Sequence, residues 1–390
     1  MVLTARIDAI KPSPTLAVSA RAIAMKKAGK PVISLSAGEP DFPTPEHIKA
    51  AAIDAIHQNQ TRYTAVEGTL ELRTAIVNKL QRDNQLSYSP AQISVSNGGK
   101  QGVFNCMGVL VNPGDEVLIP SPYWVSYPDI ALLFGGKPVI IPGDPQKRLK
   151  ITPELLQAAI TSKSKLVILN SPSNPTGVAY DERELKALAE VLLAHPQLYI
   201  LTDDIYEKII WNACFANILM VCPELYERTI VLNGVSKAYA MTGWRIGYCA
   251  GPLEIIKAMN KLQSQSTSNA CSISQAASVA ALSGDQDCIQ VMNQAFQARH
   301  DYFTKGLNKI PGFKALAADG AFYSFVDIKA AMQTHGCKDD ISFSNWMLEE
   351  ALVAGVPGSA FGMDGYIRFS FACSKEELET ALQRMAQLIS

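Results

Sequence analysis

The chain has no surplus of either charge: 35 lysines and arginines stand against 36 aspartates and glutamates. So balanced a protein offers no broad field for nucleic acid or an anionic membrane, and any anion it binds must be held by a local cluster of groups. Cysteine is sparse, eight in 390 residues with no Cys-x-x-Cys pair. That excludes a disulfide-built scaffold and points to reduced thiols, hence to the cytoplasm. The five histidines show neither His-x-His nor His-Glu-x-x-His spacing, so no metal site is expected. No apolar run reaches the ~18 uncharged residues of a membrane span, and the first residues lack the apolar stretch of a secretion signal.

What is present is an alternation of two patterns. Short continuous runs rich in Val and Ile occur at Ile93–Ser96, Glu116–Pro120, Pro138–Pro142, Leu166–Asn170, Tyr199–Thr202, Thr229–Asn233 and Ile246–Ala250. Such runs predict strands buried on both faces. Helical periodicity fills several of the gaps, as in 181–194, where Leu185, Leu188, Ala189 and Leu192 share a face behind an Asp181 N-cap. The alternation predicts an α/β fold with a mainly parallel sheet covered by helices. The last ~90 residues read as a smaller α+β unit, with strands at Ala321–Asp327 and Tyr366–Phe371 and a helix opened by a capping box at Ser374. A chain of 390 residues exceeds the ~250–300 that one core supports. The expected division is 1–45 as an N-terminal arm joined to the small domain, 46–290 as the large domain and 291–390 as the small C-terminal domain.

The segment richest in chemistry is Ser236-Lys237-Ala238-Tyr239-Ala240-Met241-Thr242-Gly243-Trp244-Arg245. It leaves the strand Thr229–Asn233 at the sheet edge where ligands of open α/β sheets bind. A lysine forms an imine with an aldehyde when burial or a nearby cation depresses its pKa. An arginine grips a phosphate with two parallel hydrogen bonds. Alone, a Lys and an Arg eight residues apart are usually surface charges. The aromatic, Gly and Met flanks argue instead for a buried site. Upstream, Gly98-Gly99-Lys100-Gln101 joins the strand Ile93–Ser96 to a helical run, Gly102–Val111, and a glycine-rich turn feeding a helix N-terminus receives anions well.

The chain also carries Ala37-Gly38-Glu39-Pro40-Asp41-Phe42, Pro120-Ser121-Pro122-Tyr123-Trp124, Asn174-Pro175-Thr176-Gly177, Asp203-Asp204-Ile205-Tyr206 and Arg368-Phe369-Ser370. Together with the lysine segment these resemble, over nearly the full chain, the class I, fold-type I aminotransferases that use pyridoxal 5'-phosphate, and in particular the bacterial Iβ aspartate aminotransferases. The resemblance implies a homodimer with shared active sites, acting on small amino acids and 2-oxo acids. It makes Lys237 the cofactor-binding lysine and proton shuttle. It makes Asp203 the partner of the pyridine nitrogen, Asp204 being the rival that fits the family's Asp-x-x-Tyr pattern less well. Asn174 and Tyr206 match donors to the phenolic oxygen, and Trp124 the platform near the ring. Gly99, Lys100, Ser236 and Arg245 surround the phosphate, joined by Tyr63 from the other subunit. Gly234 stands where some relatives have a serine, which removes one hydroxyl from that cup.

For the substrate, the resemblance implies Arg368, helped by the Gly38 backbone, for the α-carboxylate. It implies Lys100, with Ser13 and Thr15, for a distal carboxylate. L-aspartate and 2-oxoglutarate are the expected pair. Prephenate or aromatic transamination, or a β-lyase on the same scaffold, is the alternative, differing in the pocket around Ser13, Thr15 and Lys100. A cofactor-sensing regulator is disfavoured, since no basic DNA-binding module precedes the motifs.

Overall fold

The computed structural model describes residues 4–10 and 14–390. The expectations for Ser13 and for the Thr15 side chain lie outside the described residues. Thirteen strands occur among the described residues: β1 Ile33–Ser34, β2 Ile93–Ser96, β3 Glu116–Ser121, β4 Lys137–Pro142, β5 Ser164–Asn170, β6 Tyr199–Asp203, β7 Thr229–Gly234, β8 Gly247–Ala250, β9 Lys314–Leu316, β10 Tyr323–Asp327, β11 Val353–Ala354, β12 Val356–Pro357 and β13 Tyr366–Ser370.

Seven of them form one sheet in the order β2-β8-β7-β6-β5-β3-β4. Its pairings are parallel except those of β8, which runs antiparallel to both β7 and β2. The two-residue alternation of a strand explains the layering. In β5, Val167 and Leu169 pack into one apolar cluster with Leu72, Ile76 and Leu188. Leu166 and Ile168 pack into a second one with Val103, Met107 and Met259. Helices therefore cover both faces, and each fully buried Leu, Ile or Val contributes ~1.5–3 kcal/mol of transfer free energy. Asp181 caps the helix Glu182–Leu193 in a reciprocal box with Glu184, a feature worth ~1 kcal/mol.

A second sheet, β12-β13-β10-β9, is antiparallel. It packs an aromatic core that includes Phe303, Phe322, Phe343 and Phe369. The helix Lys375–Ile389, capped by Ser374, closes that core with Leu378 and Met385. The N-terminal segment joins this side, because β1 pairs in parallel with β11, and Ala22 and Val32 pack on Leu348 and Ala354.

Several boundaries differ from the sequence reading for local reasons. The helix after β2 begins at Gly99, inside the Gly-Gly turn, and not at Gly102. The strand expected from Ala321 begins at Tyr323, because Ala321 holds a left-handed φ of 57°. The strand expected from Ile246 begins at Gly247, following a left-handed Arg245, also at φ 57°. Asp203 is the last residue of β6 and does not follow it.

Candidate active site

The C-terminal ends of β5, β6 and β7 open into a cavity of about 290 Å³, closed on the far side by residues of the second sheet. Asn170 and Asp203 are register partners at the ends of β5 and β6. Asn170 Nδ2 donates to the Asp203 carbonyl at 2.8 Å, and Asn170 Oδ1 accepts from the Asn174 N–H at 2.9 Å. One amide thereby fixes the start of the Asn-Pro-Thr-Gly turn to the end of β6. Asn174 Oδ1 accepts in turn from Arg368 Nη1 at 2.9 Å, which leaves its NH2 group as the donor toward the cavity it lines.

The Asp203 carboxyl is buried and lines the cavity. Burial pushes its pKa up to about 6, opposed by hydrogen bonds from the Tyr127 hydroxyl and the Ile205 N–H and by the charge of Lys237. Asp204 is turned away from the cavity. Its oxygens accept from Thr202 Oγ1 at 2.6 Å and Asn217 Nδ2 at 2.8 Å.

Lys237 lies beyond β7 with Ser236, both on the cavity wall. Burial lowers the Lys237 pKa to about 8; Glu39 works against this, while Arg368 and Arg245 add to it. Its Nζ donates to the Gly38 carbonyl. Gly38 therefore meets the lysine, and the main-chain partner of Arg368 is the Ser36 carbonyl, at 3.0 Å from Nη2.

At the other end, Arg245 Nη1 donates to the Thr242 carbonyl at 2.8 Å and Nη2 to the Asn97 carbonyl at 3.2 Å. This lays the guanidinium against Gly98, whose φ is +82° and where a Cβ would sit 2.2 Å from Arg245 Nη2. Only glycine fits both the conformation and the contact. Gly99 then opens the helix Gly99–Leu110 with its unpaired N–H groups at the cavity. Lys100 stands at the rim with Nζ 5.2 Å from the centre of the Trp124 ring. Partial burial, then the charge of Arg245, pushes its pKa below the ordinary lysine range.

Arg368, on β13, is buried and has no carboxylate partner among the described residues. Its guanidinium lies over the rings of Tyr323, at 4.3 Å, and Phe361, at 4.9 Å, and its buried Nε has no hydrogen-bond partner among the described residues. Buried charges are costly unless paired, so this cation is set to receive an anion from the cavity. Tyr206 also lines the cavity, with its hydroxyl 2.9 Å from that of Tyr323.

One expected residue stands apart. Tyr63 is 91% exposed and is not part of the cavity formed by its own chain. Sequence reasoning missed Asn170, Tyr127, Tyr323 and Phe361. A signal existed for Tyr127, three residues after Trp124 and edge-to-face with it at 5.2 Å. Nothing in the spacing marks Tyr323, 117 residues from its partner.

A family profile described as aminotransferase class I and II matches residues 30–385. The aspartate/prephenate aminotransferase of Nitrosomonas europaea is 53% identical, with 100% of each chain covered. The aspartate aminotransferase of Rhizobium meliloti is 51% identical over 98% of this chain and 94% of its own. The crystal structure of an aspartate aminotransferase from Rhizobium meliloti superposes with a TM-score of 0.96 at 49% identity, covering 100% of this chain and 99% of that one. The Thermus thermophilus aspartate aminotransferase with maleate superposes at 0.94, with 40% identity and 100% of both chains covered.

Enzymes of this class depend on pyridoxal 5'-phosphate, and the cavity fits that cofactor. It offers a buried lysine with a depressed pKa, a buried carboxylate at the strand ends, and a helix N-terminus beside an arginine. The fold, the profile and the full-length relatives agree: this chain belongs to the class I and II aminotransferases.

Proposed function

We propose that the enzyme moves the amino group of L-aspartate to 2-oxoglutarate by ping-pong turnover. Four cationic side chains line the cavity; with Lys237 and Arg245 assigned to the cofactor, the observation that carries this reading is the pair that remains, the buried Arg368 and Lys100 above Trp124. A dicarboxylate substrate supplies both with a partner. The α-carboxylate goes to Arg368, whose planar fork suits two parallel hydrogen bonds, and the distal carboxylate goes to Lys100. The names of the relatives agree with this substrate. A second reading, prephenate as a further keto-acid substrate, is favoured by the name of the 53% identical relative.

Pyridoxal phosphate, when bound, supplies the electron sink that lets the bond to the substrate's α-hydrogen break. Asp203 would hold the proton on the ring nitrogen. Tyr206 and the Asn174 amide would donate to the phenolic oxygen, and Trp124 would serve as the apolar platform near the ring. The N–H groups of Gly99 and Lys100, the Ser236 hydroxyl and the Arg245 guanidinium would hold the phosphate. Lys237 Nζ removes and carries the proton of the substrate α-carbon, and its depressed pKa keeps part of it neutral at pH 7.

The proposed assembly is a homodimer in which Tyr63 of the partner subunit completes the phosphate site; the exposure of Tyr63 in a single chain supports this. The proposed domain division, 46–290 against 291–390 with the arm 1–45, is supported by the separate apolar cores of the two sheets. Eight free thiols suit the proposed cytoplasmic location. Among the described residues no helix is long and apolar enough to cross a membrane.

The test is a single-turnover spectrum of the holoenzyme. L-aspartate alone should bleach the cofactor's visible band and 2-oxoglutarate should restore it. A band that aspartate leaves intact and a neutral amino acid bleaches would replace the acidic substrate.

A further inference from the structure

The buried hydroxyls of Tyr206 and Tyr323 lie 2.9 Å apart, with the two rings edge-to-face. Burial keeps both phenols protonated at neutral pH. Two hydroxyls at this distance share one hydrogen, so one donates and the other is free to direct its own hydrogen elsewhere. Tyr323 is held from two sides: its oxygen abuts Gly38, where a Cβ would sit 3.2 Å away, and its ring carries the Arg368 guanidinium at 4.3 Å. Both tyrosines line the cavity, and a Tyr206 hydrogen spent on the cofactor's phenolic oxygen leaves Tyr323 as the donor between the two hydroxyls.

We infer that Tyr323 is a positioning residue: its hydroxyl donates to Tyr206, turns the Tyr206 hydrogen into the cavity, and passes the state of Arg368 to that hydrogen. This rests on the reading of Tyr206 as a donor to the cofactor's phenolic oxygen. The charged groups facing the two hydroxyls are Arg368 from β13, Asp203 from β6 and Lys237 from the loop after β7. An uncompensated Arg368 cation acidifies Tyr323 and strengthens it as a donor. A donor that is itself hydrogen-bonded at its oxygen is a stronger donor. When a carboxylate neutralises Arg368, Tyr323 donates more weakly, and so does Tyr206. With the cofactor bound, Tyr206 would then withdraw less charge from the cofactor's phenolic oxygen, and the proton on Lys237 Nζ would be held more tightly. Occupancy of the carboxylate site would thus reach the reacting nitrogen through two phenols, in addition to the Asn174 amide that Arg368 also holds. Sequence distance hides the route, since Tyr206, Tyr323 and Arg368 belong to three separate strands or loops.

The experiment is a pH titration of the cofactor's visible band in the holoenzyme, with and without maleate, a dicarboxylate that carries no amino or keto group. Parent, Tyr323→Phe, Tyr206→Phe and the double variant are compared. Tyr323→Phe keeps the ring over which Arg368 lies. Its midpoint should rise by about half a pH unit, a factor of about three in proton affinity, and the further rise caused by maleate should shrink. In the Tyr206→Phe background the same substitution should add nothing. An unchanged midpoint in Tyr323→Phe, or an equal shift in both backgrounds, overturns the relay and leaves the aminotransferase reading standing. A parent protein that takes up no pyridoxal phosphate overturns both.

Discussion

The hydroxyl of Tyr127 donates to Asp203 Oδ2 over 2.6 Å, with both groups buried beside the cavity. This short bond is the largest influence holding the Asp203 pKa down against burial. It ties the helix Ser126–Leu133 to the end of β6. Tyr127→Phe leaves the ring packing and removes one donor from a buried carboxylate, a loss of ~1.5–3 kcal/mol for a bond to a charged group. With Asp203 in its proposed role, cofactor affinity should weaken about ten-fold or more. Equilibrium titration of the apoenzyme with pyridoxal phosphate measures it, and an unchanged dissociation constant would detach Tyr127 from the site.

In its proposed role, Lys237 should set the pH at which the apoenzyme takes up its cofactor. At pH 7 an ordinary lysine is neutral in about one molecule in three thousand; a pKa of about 8 raises that to about one in ten. Attack on an aldehyde requires the neutral amine. The shift is downward, so the rate should climb as pH rises, reach half its limit near 8 and level off above. Stopped-flow mixing of apoenzyme with pyridoxal phosphate reads this directly, and Lys237→Ala should give no such phase and no repeated turnover. A profile still climbing at pH 10 would mean that the lysine is not held in the depressed state.

Lys100 is the specificity argument in one residue. Lys100→Ser removes the cation over Trp124 and leaves Arg368 untouched. The Michaelis constant for aspartate should rise by at least ten-fold, and that for a neutral amino acid by less than about two-fold, since only a distal carboxylate loses a partner worth ~1.5–3 kcal/mol. Steady-state kinetics with both substrates decides it; equal changes would remove Lys100 from substrate selection.

Beneath the site, Lys79 and Glu207 form an ion pair whose side chains are 2% and 4% exposed, and Asn84 bonds to both. Lys79→Met leaves Glu207 buried without its cation and should destabilise the fold by ~3–5 kcal/mol. Adding Glu207→Leu should recover much of the loss, because it removes the uncompensated charge. Urea unfolding of the parent and the two variants checks the order.

Much of this molecule is legible from its sequence because two signals are strong and local. The strands of the large sheet are runs buried on both faces, and β5, β6 and β7 fall within about two residues of their reading because Val, Ile and Leu fill consecutive positions. The residues proposed to carry the chemistry sit in short motifs close to those strands, so Lys237, Asp203, Asn174 and Arg245, which the fold brings to one cavity, can be named without knowing how the chain turns. Strand starts set by backbone conformation escape this reading, as at Ala321 and Arg245, where a left-handed φ on a non-glycine residue carries no compositional mark. Residues that act through another side chain escape it too. Tyr127 and Tyr323 look like ordinary core aromatics until the fold sets them against Asp203 and Tyr206.

The pairing of β1 with β11 has a consequence for how the chain is made. Ile33 leaves the ribosome early, and its partner Val353 follows 320 residues later. At ~5–20 residues per second that is a wait of roughly 16–64 s, during which the seven strands of the large sheet are all synthesised. The first strand to be translated is therefore among the last to be paired. The nascent protein has Lys237 and Asp203 in hand well before Arg368, the residue proposed to hold the substrate carboxylate, is made.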